Sequence, residues 1–373
     1  MKDERLFKLA NTLLKHSLGL ERGDIFEISA HFAAKPLVKA IVEEANKIGA
    51  RPNVIFDDPE VSRLVLDGID LNDEVLSRDY YKKVSSWGIK RYNDIKAVIF
   101  ISALENDSEM SNIDRKKLCL RNEERKTFND ILINERKWVS LDYPTMAQAQ
   151  KAKMSYDDFY DFCMDVCLVD YKHMANCFVP LKALMERTDR VHILGNGTDL
   201  SFSIKGIPVI PCSGECNIPD GEIFTAPIRD SVNGVLQYNT ETGMHGHTFK
   251  NVRFEFKDGK IIKASCDGNN DALNSILDSD AGARYIGEFA LGVNNLITKP
   301  FGNTLFDEKI GGSFHFTPGE AYAESDNGNK SIIHWDIVCI QTPEHGGGEI
   351  YFDDVLVRKN GLFVINELKG LNP

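Results

Sequence analysis

His334 and Asp336 flank Trp335 in an alternating stretch, Ile332 to Val338. An extended chain with a side-chain period of two turns the imidazole and the carboxylate to one face and the indole to the other. A nitrogen and an oxygen donor side by side suit a divalent cation, or a catalytic histidine with its orienting acid. A second histidine, His315, follows Gly311 and Gly312, which let the backbone approach an ion or substrate closely. Two carboxylates, Glu222 and Glu288, are flanked by apolar residues where a solvated face would carry more charge. A buried carboxylate is paired or binds metal. Each feature alone has an ordinary explanation: a His-Asp hydrogen bond in a strand, a glycine-rich hairpin, a salt-bridged core acid. Together, Glu222, Glu288, His315, His334 and Asp336 are the mixed oxygen and nitrogen set wanted by two Zn, Co, Mn or Mg ions about 3.5 to 4 Å apart, with one carboxylate bridging.

Rival metal donors are weaker. His245 and His247 form a His-x-His leading into a hairpin, and His345 stands beside Gly346 to Gly348, so both sets read as turn or edge residues. Cys163 with Cys167 and Cys212 with Cys216 are spaced by three residues rather than two, which favours plain core cysteines over a structural zinc. No phosphate-cradling Gly-x-x-x-x-Gly-Lys-Ser/Thr loop, His-Glu-x-x-His helix or Gly-x-Ser-x-Gly elbow occurs. Gly195-Asn196-Gly197 carries only part of a dinucleotide fingerprint and reads as a turn.

The elements that must position these residues fall into two patterns. Up to about residue 145, helical segments alternate with the apolar strands Ile25 to Ala30, Pro52 to Phe56, Ala97 to Ser102 and Trp138 to Leu141. That order predicts an α/β region with a mostly parallel sheet covered on both faces. Helical patterning continues from Thr145 to Arg187. From Arg190 onward short strands are punctuated by glycines and by an Asp258-Gly259 hairpin turn. This predicts an α/β domain over 1–189 and a β-rich α+β metal-binding domain over 190–373. Six of the nine histidines lie after residue 190, so the chemistry is sought there.

The 373 residues, 42% hydrophobic and 27% charged, are enough for two globular domains. A net charge of -12 argues against nucleic acid or an anionic membrane as partner. The longest apolar stretch, Ala97 to Leu104, is far below the ~20 residues of a membrane-spanning helix. The mixed charges of the first five residues and the helical spacing after them are unlike a signal peptide. A cytoplasmic protein with free thiols is expected. The charged run Arg115 to Lys126 mixes both signs at helical spacing, as a solvated helix face does.

Four motifs occur in order: Asn217-x-Pro-x-Gly-Glu222-x-Phe-Thr-Ala-Pro227, Gly287-Glu-Phe-Ala-Leu-Gly292, Asp307-Glu-Lys-Ile-Gly-Gly-Ser-x-His315 with Tyr322 seven residues on, and Ile333-His-Trp-Asp336. This pattern resembles the thermophilic-type metallo-aminopeptidases of the aminopeptidase T and aminopeptidase S kind, strongly over residues 190–365 and less specifically before. The resemblance implies a two-domain, homodimeric exopeptidase with a dinuclear centre, with Glu222, Glu288, His315, His334 and Asp336 as metal ligands and Tyr322 as an active-site tyrosine. Two departures stand out. Some members carry a carboxylate five residues before the first histidine, whereas Glu308 precedes His315 by seven. Thr317-Pro318-Gly319-Glu320 stands where Ala-Leu-Gly is more usual. The expected activity is removal of N-terminal residues from short peptides by a metal-activated water, with Glu288 or Glu308 as proton carrier and Tyr322 as oxyanion donor. The alternatives are a non-catalytic peptide- or metal-binding homologue, or a metal-dependent amidase on a non-peptide substrate.

Overall fold

The structure is a computed structural model that describes residues 3–373. Its backbone divides into two compact units, residues 3–168 with 214–218, and residues 169–213 with 219–373.

The first unit is built on a five-stranded parallel sheet in the order Arg51–Asp57, Ile25–His31, Ala97–Ser102, Lys137–Asp142 and Asn217–Ile218. Near-continuous apolar runs such as Ala97–Ser102 form its centre, as expected for strands covered by helices. Helix Lys35–Ile48 carries Leu37, Val38, Ala40, Ile41 and Ala45 on its buried face and stops at Gly49, whose φ of +80° supplies the left-handed cap. The last strand comes from the short excursion 214–218, which no local sequence pattern announces.

The second unit stacks two sheets. One holds nine strands, with Arg190–Gly195 and Thr198–Ser203 near its centre. Their turn at Asn196-Gly197 places Gly197 at φ +73°, so the two-glycine segment is a hairpin. The other sheet is antiparallel, in the order Val338–Ile340, Ser313–Pro318, Ile286–Gly292, Glu222–Thr225 and Ile210–Cys212. Aromatic rings join the sheets: Phe202 lies 5.0 Å from both Phe289 and Phe316, and Phe256 lies 6.0 Å from Phe316. Such pairs add to the burial of their area.

Besides the excursion 214–218, the division differs from the expected boundary at 189/190 by one helix. Tyr171–Arg187 sends Phe178, Leu181 and Met185 into the core of the second unit, so apolar burial assigns the helix there. Among the described residues, no helix is long and apolar enough to cross a membrane.

Candidate metal centre

The five-stranded antiparallel sheet carries the centre on one face and the aromatic core on the other. Residues directly opposite in antiparallel strands share a face. Glu222 is opposite Gly292, His315 opposite Ala290, and Thr317 opposite Glu288. Alternation sends Phe289, Leu291, Phe314 and Phe316 into the core. The small residues Ala290 and Gly292 leave room above the sheet between the acids. Gly287, beside Glu288, is required for another reason: a Cβ there would collide with the Glu320 carbonyl.

The segment carrying His334 and Asp336 departs from the expected strand. Only Val338–Ile340 forms a ladder, and His334 makes a single bridge to Gly319. The facing strand ends in Pro318, which has no N–H to give, and in Gly319 at φ +111°, so the regular ladder cannot continue. Trp335 N–H still bonds the Pro318 carbonyl at 3.1 Å. The chain stays extended, and the alternation holds without the strand. Ile333, Trp335 and Ile337 are buried in the core, while His334 and Asp336 turn to the carboxylates.

The five residues converge. His315 Nε2 lies 3.0 Å from Glu288 Oε1 and 3.4 Å from Glu222 Oε2. His334 Nε2 lies 3.4 Å from Glu288 Oε2 and 3.2 Å from Asp336 Oδ1. Their donor atoms form two sets of three, Glu222–Glu288–His315 and Glu288–His334–Asp336, each within 4.8 Å. Glu288 belongs to both. Glu222 Oε2, Glu288 Oε2 and His334 Nε2 are buried without a hydrogen-bond partner, which is costly unless a cation completes them. His334 donates from Nδ1 to the Glu320 carbonyl at 2.8 Å, which leaves Nε2 as the electron-pair donor, as second-sphere partners of metal-binding histidines do. The donor set therefore fits divalent cations.

The electrostatics describe a cluster that holds protons when no cation is bound, and a metal binding there would have to displace them. Burial opposes charge on His315, but the hydrogen bond to Glu288 and the charges of Glu222 and Glu288 raise it to about 9. Burial likewise opposes charge on His334, while Asp336 and Glu288 beside it raise it to about 11. Asp336 is held well below the usual carboxylate range against its burial, through His334, His315 and the Thr317 hydroxyl. Burial pushes Glu308 up to about 8 despite the lowering charge of Lys309.

The remaining expected site residues lie around this core. Glu308 is next to the centre and bonds Lys309 Nζ at 2.6 Å, but it belongs to neither donor set. The Tyr322 ring packs 4.5 Å from the His334 ring and 5.7 Å from Phe224, and the residue is 46% exposed. Burial raises its hydroxyl well above the ordinary tyrosine value, so it stays a proton donor. Among the described residues, no metal-type set includes His245, His247, His345, Cys163, Cys167 or Cys216. Cys163 and Cys167 are buried on helix Tyr156–Cys167.

Two residues of the site have no counterpart among the expected ligands. Lys309, wholly buried, lies 2.5 Å from Glu222 Oε1. No signal in the sequence separates it from a surface lysine. Thr317 donates from Oγ1 to Asp336 Oδ1 at 2.7 Å; its place in the segment that departs from the family pattern is the one hint the sequence holds.

Fold and donor set together define a candidate metal-binding protein, and the comparisons supply its class. Residues 2–361 match the family described as thermophilic metalloprotease (M29), and the chain belongs to it. Aminopeptidase 2 of Geobacillus stearothermophilus is 24% identical over 402 residues, spanning 90% of this chain and 92% of the relative. Aminopeptidase T of Thermus aquaticus is 31% identical over 176 residues, 40% of this chain and 43% of its own. The solved structure of wild-type AmpT from Thermus thermophilus superposes with a TM-score of 0.81, covering 97% of this chain and 99% of that one at 21% identity, which establishes the shared fold. The enzyme class is thus metallo-aminopeptidase, with a divalent metal cofactor.

Proposed function

We propose that the centre takes two divalent ions, with Glu288 available to both, and removes N-terminal residues from short peptides with a free N-terminus. The observation that carries this reading is the position of Glu288 between two histidines, common to both donor sets. Glu222 and His315 would hold one ion, His334 and Asp336 the other. Divalent ions bound there supply polarisation of a peptide carbonyl and a water acidic enough to attack it near neutral pH.

The protein's own groups do the rest. With Glu288 a member of both donor sets, Glu308, next to the centre and outside them, is the carboxyl left to accept a proton at a carboxylate oxygen and return it to the leaving amine. Tyr322 is reachable from solvent and keeps its proton, so its hydroxyl can donate to the carbonyl oxygen as negative charge develops there. The acidic surroundings suit a cationic N-terminal ammonium.

Metal-loaded protein incubated with Leu-, Phe- and Arg-anilides tests the activity: release of the free aniline supports it, and turnover of none of them, with metal bound, argues for a binding protein or for an amidase of other substrates. The reading also carries the expected homodimer and cytoplasmic location, and a monomer mass in native mass spectrometry at micromolar concentration would contradict the dimer.

A further inference from the structure

A third set of donors lies against the first two: Cys212, Asp220 and Glu222, also within 4.8 Å of one another. It differs from them in one respect. Where the other sets end in unpartnered atoms, this one already meets a cation. Lys309 Nζ is 2.5 Å from Glu222 Oε1, 2.6 Å from Glu308 Oε1 and 3.8 Å from Asp220 Oδ1, and its side chain is wholly buried. An ammonium has three donors and no acceptor, so a ring of carboxylates is the environment that can hold it in a dry interior. Asp220 is further committed locally, since its Oδ1 accepts from Gly221 N–H at 2.9 Å.

We propose that Lys309 is a tethered cation that fills the third cation position of this acidic cluster and so limits the centre to two metal ions. It is a positioning residue. By taking Glu222 Oε1 it leaves only Oε2, which faces His315 and has no hydrogen-bond partner, and it thereby fixes how that carboxylate is presented. By standing between Glu222, Glu308 and Asp220 it keeps a second positive charge away from the half-buried thiol of Cys212, a soft donor that would otherwise recruit thiophilic ions. The inference rests on the two-ion reading of the neighbouring sets.

Cadmium titration reads the two apart, because a cadmium–thiolate bond adds near-ultraviolet absorption that carboxylate and imidazole ligands do not. The native protein, whose exposed Cys119 and Cys216 are other thiols open to cadmium, should show no thiolate absorption that depends on Cys212. Lys309→Met, which keeps an unbranched chain one atom shorter and removes its charge, should take up one more ion per chain with thiolate absorption, and the added Cys212→Ser substitution should abolish both gains. Lys309→Arg, which keeps the charge, should behave as native. The proposal is overturned if folded Lys309→Met binds the native number of ions without added thiolate absorption, if Lys309→Arg gains the ion, or if the native protein shows thiolate absorption that Cys212→Ser removes. Should Lys309→Met not fold, the native titration and the arginine variant decide. A native protein that binds one ion or none would defeat the two-ion reading, whereas the thiolate band reports on Lys309 by itself.

Discussion

The Thr317 hydroxyl donates a 2.7 Å hydrogen bond to Asp336 Oδ1, the oxygen that lies 3.2 Å from His334 Nε2. Thr317 is fully buried. Thr317→Val keeps the shape and removes the donor. Loss of such an outer partner of a metal ligand typically costs about 10- to 100-fold in metal affinity, and that weakening is expected at the His334–Asp336 position, with Thr317→Ser restoring it. Calorimetric metal titration of the two variants checks this; equal affinities for valine, serine and native proteins would refute it.

His334→Ala and Asp336→Ala each delete a donor from the same set. Each is expected to lose at least one metal ion and to lower kcat by several orders of magnitude, with circular dichroism unchanged because both side chains face the site and not the core. Elemental analysis showing native metal content in both variants would remove them from the centre.

Tyr322→Phe removes one hydroxyl and keeps the ring that packs on His334. If that hydroxyl stabilises the oxyanion, kcat should fall about 10²- to 10³-fold, roughly 2.7 to 4 kcal/mol of transition-state stabilisation, with KM little changed. Metal content and melting temperature should stay native. A joint loss of metal and turnover would instead make the tyrosine a ligand, and normal turnover would exclude the catalytic role.

The metal-free protein should lose stability as pH rises. His315 has a folded pKa of about 9, above the ordinary 6.5. A raised pKa contributes stability that is present below the unfolded value and lost as pH climbs through the folded one. Glu308, raised from 4.5 to about 8, acts in the same direction over its own window. Melting temperatures of chelator-treated protein should therefore fall between about pH 5 and pH 9. Because metal binding must displace the protons on His315 and His334, metal affinity should rise over the same range. A melting temperature that climbs with pH in that window would contradict the protonation pattern.

Sequence alone determined what depends on residue type and local period. Apolar runs such as Ala97–Ser102 and the Asp258-Gly259 turn produce the two patterns of folding, because strand burial and left-handed turn geometry are properties of a few adjacent residues. The alternation around His334 and Asp336 fixed their shared side even though no ladder forms there, since an extended chain alternates with or without a partner. Tertiary structure decided the rest. Pairing across strands set Thr317 opposite Glu288 and His315 opposite Ala290, a register that no single strand encodes. The burial of Lys309 among Glu222, Glu308 and Asp220 joins residues up to 89 positions apart in the chain, and only that desolvated meeting sets this lysine apart from an ordinary surface one. Helix Tyr171–Arg187 reads as a helix from its own residues, yet which unit it belongs to depends on where Phe178, Leu181 and Met185 find apolar partners, and that is settled by the packed core and not by the helix itself.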